Sequence, residues 1–186
     1  MYIVIEGIDT AGKSTQLNIL KQQYPSAVFT KEPGATEIGQ ELRQMVLSGR
    51  AKSKLAEMFI FLADRAEHIE EVVIPNKDNI VISDRSLISG IAYAKDIPVE
   101  LVTSLNLMAT NNTLPSHVIL LELSREELTH RLSQKENDSI ESRGIDYLLD
   151  IQDRLKESIE MLDLNYIFID ASKPIDEIAQ EIKEFL

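Results

Sequence analysis

The residues Gly7-Ile8-Asp9-Thr10-Ala11-Gly12-Lys13-Ser14 follow the spacing G-x-x-x-x-G-K-[ST], the pattern of a loop that wraps a polyphosphate. The glycines let the backbone come close to the anion. The amides that follow open a helix, whose N-terminus favours negative charge. Lys13 is placed to bridge the β- and γ-phosphates and the Ser14 hydroxyl to ligate Mg²⁺. The stretch Gly7 to Thr15, with Ile8, Asp9, Thr10 and Ala11 inside it, is therefore the candidate ATP site. Chance produces such a match in under about 1% of chains this long, taking Gly at about 7%. A GTPase would also carry Asn-Lys-x-Asp after a late strand. Here Asn76-Lys77-Asp78-Asn79 has its aspartate one place early and precedes a strand candidate, so it reads as a surface turn. The small size of the chain and its one very polar segment favour a small-molecule kinase.

A second set of residues bears on the phosphoryl acceptor. Phe61 and Arg65 are four apart and share one helix face. A ring and a guanidinium at that spacing stack a planar base and hydrogen-bond its edge. Taken singly, Phe61 reads as core packing and Arg65 as a surface charge beside Asp64. Asp84 ends an apolar run, in the place of a carboxylate near Mg²⁺; an ion pair with its neighbour Arg85 is the plainer reading, and both can hold. His68, one turn beyond Arg65, reads as a helix-surface or pocket-rim residue. The sequon Asn111-Asn112-Thr113 carries no function in a cytoplasmic protein.

The elements that position these residues follow from periodicity. Short apolar runs at Tyr2–Glu6, Ala27–Thr30, Asn79–Ser83, His117–Leu123 and Tyr166–Asp170 have the little-alternating character of buried parallel strands. Between them lie helix candidates at 13–23, 36–48, 53–76, 86–94, 98–111, 124–133, 145–162 and 174–185. In 53–76, Leu55, Met58, Phe59, Leu62, Ala66 and Ile69 recur at helical spacing, with Ser53 as a start signal and Pro75 near the end. Alternating strands and helices predict an α/β fold, one five-stranded parallel sheet with helices on both faces. The whole of 1–186 is expected to be one domain. Ligands of such sheets sit beyond the carboxyl ends of the strands, where the segments just named fall. The polar stretch 134–144 (QKENDSIESRG) sits between two helices as a solvated loop or a lid.

Composition bounds the function. The formal net charge is −12 with no cysteine, which excludes a disulfide framework and a thiolate metal site. An acidic surface repels nucleic acid and anionic membranes. The start of the chain lacks a signal-peptide pattern and no apolar run is long enough to span a bilayer, so a cytoplasmic protein is expected. A phosphate-handling site must then be locally basic within an acidic body.

Taken in order, the P-loop with Asp9, Lys31-Glu32-Pro33-Gly34-Ala35-Thr36, Phe61/Arg65, Asp84-Arg85-Ser86, Ser89–Tyr93, Leu114-Pro115 and Ile169-Asp170-Ala171-Ser172 resemble the thymidylate (dTMP) kinases, bacterial members above all. The resemblance runs nearly end to end. It implies a P-loop kinase fold, ATP and Mg²⁺, dTMP as acceptor, a homodimer, and a lid at about 134–144. It also implies roles. Phe61 would stack on thymine and Arg65 would bind its exocyclic oxygen. Asp9 would take the sugar 3′-hydroxyl, and Tyr93 would disfavour a 2′-hydroxyl. Arg43 and Arg85 would hold the acceptor phosphate, with Glu32, Ser89 and Gly90 also at the acceptor. Arg131, just before the lid, is a candidate both for contact with adenine and for a helper charge. The chain departs from the family in its helper arginine, absent after Asp9, where Thr10 stands, and absent from Asp138-Ser139-Ile140-Glu141 in the lid. Arg143 or Lys135 is expected to supply that charge. Two rivals stay open: a deoxynucleoside kinase, in which Glu32 acts as base on a sugar hydroxyl, and a non-catalytic P-loop module.

Overall fold

The computed structural model describes residues 1–134 and 144–186. Lys135, Arg143 and all of the 134–144 stretch except Gln134 and Gly144 lie outside the described residues.

Five parallel strands form one sheet: β1 (Tyr2–Glu6), β2 (Val28–Lys31), β3 (Val81–Asp84), β4 (His117–Glu122) and β5 (Tyr166–Asp170), in the order β2-β3-β1-β4-β5. Every residue of β1 is buried, so both faces of the sheet's centre are covered, and the continuous apolar runs of the sequence are accounted for. The strand order reverses direction at β1, and the loop leaving β1 therefore opens into the crevice between neighbours that run off to opposite sides. The helices are α1 (Lys13–Gln23), α2 (Glu37–Leu47), α3 (Lys54–His68), α4 (Leu87–Tyr93), α5 (Val99–Ala109), α6 (Arg125–Ser133), α7 (Ile145–Met161) and α8 (Ile175–Phe185). Side-chain hydroxyls of Thr36, Ser53, Ser86 and Ser124 cap the starts of α2, α3, α4 and α6, each satisfying an amide with no partner inside its helix.

The single helix expected over 53–76 is three pieces. α3 ends at His68, a π-helical turn covers Ile69–Val73, and a 3₁₀ turn carries Pro75 over Ile74–Asn76. The apolar stripe of α3 also divides. Met58, Leu62 and Ile69 are buried, whereas Leu55 and Phe59 are about half exposed, at 50% and 51%.

The register of β3 fixes the loops of the site. Asp84 lies opposite Ile5 of β1 and Lys31 of β2. The ladders continue one residue further: Arg85 N donates to Ile5 O and Glu32 N to Asp84 O. The β2–α2 loop that follows, with a cis Glu32–Pro33 bond, is tied to α3 by Asp64. That carboxylate is buried and accepts a 2.8 Å bond from Gly34 N. Arg43 of α2 closes the same loop through Nη1 to Pro33 O at 3.0 Å.

Burial pushes the Asp64 carboxyl up to about 6, against the bond from Gly34 that favours its charged form and with the nearby Glu32 charge adding to the rise. A raised folded-state pKa gives stability that is full below the unfolded value of about 3.9 and is lost as pH rises through about 6. Asp64→Asn keeps an acceptor for Gly34 and removes the titration. The melting temperature of Asp64→Asn relative to the parent protein is therefore expected to rise between about pH 4 and about pH 7. A difference independent of pH across that range would contradict the assignment.

Candidate active site

The loop leaving β1 is a tight cradle. Gly7 has φ +150°, and a Cβ there would fall 2.9 Å from Leu121 O and 3.2 Å from the Ala11 Cβ, so only glycine fits between the loop and β4. Gly12 caps α1 with φ +95° and no side-chain hydrogen bond, and the first amides of a helix have no partner within it. Lys13 curls back into this cradle. It is 8% exposed, and its Nζ donates to Gly7 O at 3.0 Å and Ile8 O at 3.3 Å. Burial, then the Arg85 charge, lowers its pKa to about 8. An anionic ligand beside it would favour the charged form of Lys13. Ser14 and Thr15 are exposed at the head of α1. Thr10 holds φ +68°, and its carbonyl accepts from Arg131 Nη1 at 2.9 Å. Arg131 also donates to Ala171 O at 2.6 Å and to Glu127 Oε1 at 2.6 Å, so its guanidinium bridges the cradle and the loop after β5.

Next to the cradle stands Arg85, at the end of β3 with φ +72°. Nη2 donates to Asp9 Oδ1 at 2.9 Å and Nη1 to Ser89 Oγ at 3.0 Å, and the guanidinium lies 5.4 Å from the centre of the Tyr93 ring. Loss of water works against the Arg85 charge, but Tyr93, Asp9, Glu6 and Asp84 outweigh it and hold its pKa above the ordinary arginine value. Beneath lies Glu6, fully buried, whose carboxylate accepts from Ser86 Oγ (2.7 Å), Ser89 Oγ (2.6 Å) and Ser89 N (3.4 Å). Burial pushes the Glu6 carboxyl up; Arg85 and the two serines oppose it. Glu6 was not anticipated, although a carboxylate closing an apolar strand is the same signal that singled out Asp84.

Arg65 is not a surface charge. It is 3% exposed. Nε donates to Glu32 Oε2 at 2.8 Å, Nη1 to Asn106 Oδ1 at 2.6 Å and Nη2 to Ser86 O at 3.1 Å. Gly90 covers this cluster, and a Cβ there would fall 2.5 Å from Arg65 Nη1 and 2.6 Å from Asn106 Oδ1. Phe61, one turn earlier on α3, is half-buried. Glu32, expected to touch the acceptor, is 5% exposed with both carboxylate oxygens engaged, the second by His68 Nδ1 at 2.8 Å. Burial alone would raise its pKa, but Arg65 and His68 hold it below the usual carboxylate range. His68 corrects the expectation of a helix-surface or rim residue. It is completely buried, because the face of α3 that carries Arg65 continues into the interior. Asn106 and His68 have no motif around them; only the packing of α5 and β2 against α3 brings them in.

Ser14, Thr30, Lys31, Gly34, Arg43 and Asp84 line a cavity of about 970 Å³. The structure thus brings Gly7–Thr15, Asp84, Arg85, Asp9, Ser89 and Tyr93 to one place at the carboxyl ends of β1 and β3. Arg43 stands across the cavity and Arg131 on the far side of the cradle.

A family model described as thymidylate kinase matches residues 5–182. A thymidylate kinase of Aliarcobacter butzleri is 64% identical over 186 residues, covering 100% of this chain and 98% of that one. A thymidylate kinase of Wolinella succinogenes is 52% identical over 178 residues, covering 96% and 94%. The solved structure of thymidylate kinase from Ehrlichia chaffeensis superposes with a TM-score of 0.77 at 24% identity, covering 99% of this chain and 96% of its own; at that identity the likeness speaks for the fold, that of the P-loop kinases. With a model match across almost the full length and relatives above half identity, this chain belongs to the thymidylate kinase family.

Proposed function

We propose that this chain transfers the γ-phosphoryl group of ATP to dTMP, giving ADP and dTDP. The observation that carries the choice of acceptor is the state of Glu32. A nucleoside kinase needs a carboxylate free to take a proton from a sugar hydroxyl. Glu32 is buried, and Arg65 and His68 hold both its oxygens. A monophosphate acceptor needs no such base, since its oxygen carries about −1.5 to −2 charge at neutral pH. That oxygen attacks the γ-phosphorus, the bond to the β,γ-bridging oxygen breaks, and ADP leaves with the electron pair. The chain's task is in-line positioning and charge neutralisation.

In this reading Gly7 to Thr15 hold the triphosphate, and Lys13 moves from the Gly7 and Ile8 carbonyls onto the β- and γ-phosphates. Arg131, pinned flat by Thr10 and Ala171, faces adenine. Phe61 stacks on thymine, Arg65 donates to its exocyclic oxygen, and Ser89 and Gly90 form the floor. Asp9, with one oxygen on Arg85, offers the other to the 3′-hydroxyl, and Tyr93 fills the space beside the 2′-carbon. Arg43 and Arg85 take the acceptor phosphate. Glu32 acts through Arg65 rather than by contact.

Mg²⁺ fits the donor set. Asp84 Oδ1 is buried with no hydrogen-bond partner among the described residues, and Asp84 lines the same cavity as Ser14. Magnesium favours one or two protein oxygens plus substrate phosphates. Ser14 and Asp84 would hold the ion, which when bound neutralises charge on the β- and γ-phosphates.

Partners and setting complete the reading. One domain, two small substrates, a cytoplasmic location and no nucleic acid accord with a net charge of −12. Among the described residues no helix is long and apolar enough to cross a membrane. Leu55 and Phe59 on α3 and Leu101 and Met108 on α5 are 50–72% exposed, a surface that suits a homodimer.

The acceptor is tested by ADP release with dTMP against thymidine. The expected kcat/KM ratio is at least about 10⁴ in favour of dTMP, the scale on which a site built for a polar group rejects an analogue lacking it. Efficient turnover of thymidine would overturn the reading. The lid charge is tested by Lys135→Ala and Arg143→Ala. One of the two is expected to lower kcat by about 10³ or more, as a transferred-phosphate cation does; losses of only a few-fold in both would contradict it.

A further inference from the structure

His68 has no access to solvent or to a substrate, yet both of its ring nitrogens are engaged. Nδ1 lies 2.8 Å from Glu32 Oε1, and Nε2 lies 2.8 Å from Thr30 Oγ1. An ionised carboxylate can only accept, so Nδ1 carries a proton and donates to Glu32. The other oxygen of Glu32 accepts from Arg65 Nε. A carboxylate bonded at one oxygen is free to swivel; bonded at both, it has one plane. Thr30 is itself fixed, paired in register with Ser83 of β3. The imidazole therefore joins a strand residue to the carboxylate that orients the guanidinium. Asn106 and Ser86 hold the other two nitrogens, but Nε sits closest to the side-chain stem, and its bond sets the tilt of the whole plane.

We infer that His68 is a positioning residue for base selection. The chain Thr30–His68–Glu32–Arg65 fixes the plane of the Arg65 guanidinium and so sets which exocyclic group of a pyrimidine is accepted. The inference rests on the proposed role of Arg65 at the base edge. A guanidinium has only donors. It donates to a carbonyl oxygen and finds no acceptor in an amino group, so its correct tilt distinguishes dTMP from dCMP. A tilted guanidinium loses the bond to the carbonyl and the contrast with it.

The test compares two replacements of the ring. The amide nitrogen of asparagine falls near the place of Nδ1 and that of glutamine near the place of Nε2. His68→Gln therefore keeps the bond to Thr30 and loses the one to Glu32, while His68→Asn does the reverse. His68→Gln is expected to raise KM for dTMP about tenfold and to lower the preference for dTMP over dCMP about tenfold, with kcat within about threefold, the effect of loosening one charge-assisted bond. His68→Asn is expected to return KM and preference to within about threefold of the parent protein. Thermal unfolding of both variants is followed in parallel. A packing role alone would lower the melting temperature and leave the preference unchanged, and that result overturns the inference. So does an unaltered KM in His68→Gln, or a His68→Asn variant no better than His68→Gln. If His68→Gln does not fold, Thr30→Val removes the outer anchor of the ring; it is expected to lower the preference about threefold, and an unchanged preference there overturns the inference. A parent protein with no preference for dTMP over dCMP would instead contradict the role of Arg65 itself.

Discussion

A guanidinium that is 3% exposed is stable only where its charge is balanced and its N–H groups are met, because the interior offers no water to do either. Arg65, itself on α3, satisfies this condition with groups from three separate places. Glu32 comes from the loop after β2, Asn106 from α5 and the Ser86 carbonyl from the turn after β3. Moving any one of them away leaves a buried charge or an unmet donor. The arrangement therefore couples the fold to one geometry at the base pocket. Gly90 belongs to the same constraint, since any side chain at that position would collide with the guanidinium and with Asn106.

The phosphate side repeats the arrangement, with a buried carboxylate beneath an arginine. Buried Glu6 orients Ser89, Ser89 and Asp9 hold Arg85, and Tyr93 lies against it. Two arginines are thus held from below by buried carboxylates, one directly and one through a serine. This is how a chain of net charge −12 presents a locally basic site. The carboxylates beneath them are buried, and Arg85 stands beside the crevice where phosphate is expected. Preorganised charge of this kind suits phosphoryl transfer, which asks for position and neutralisation more than for covalent chemistry.

Much of this was legible in the sequence where the determining contacts are local. The cradle lies within eight consecutive residues, and β1 and β5 have the bounds that their apolar runs predicted. β2 and β3 end one residue later than predicted, because Lys31 and Asp84 extend the ladder by pairing with each other across it. What could not be read were the contacts that sequence distance hides. Arg65 meets partners 21, 33 and 41 residues away. Glu32 looked available because it follows a strand, and only the packing of α3 shows that it is engaged. His68 looked peripheral because a polar residue one turn beyond a pocket residue is usually solvated. Leu55 and Phe59 share the helical spacing of Met58 and Leu62, and spacing alone cannot tell a buried stripe from one that faces outward.

The base pocket depends on Glu32 being an orienting counter-charge and not a base. Steady-state kinetics of Glu32→Gln with dTMP, as a function of pH, address this directly. A glutamine keeps an acceptor for Arg65 but weakens its hold. The predicted result is a KM for dTMP raised by about tenfold or more, with kcat within about tenfold and the form of its pH profile preserved. A fall in kcat towards about 10⁴-fold with unchanged KM, and loss of the acidic limb of the profile, is the signature of a removed general base and would contradict it.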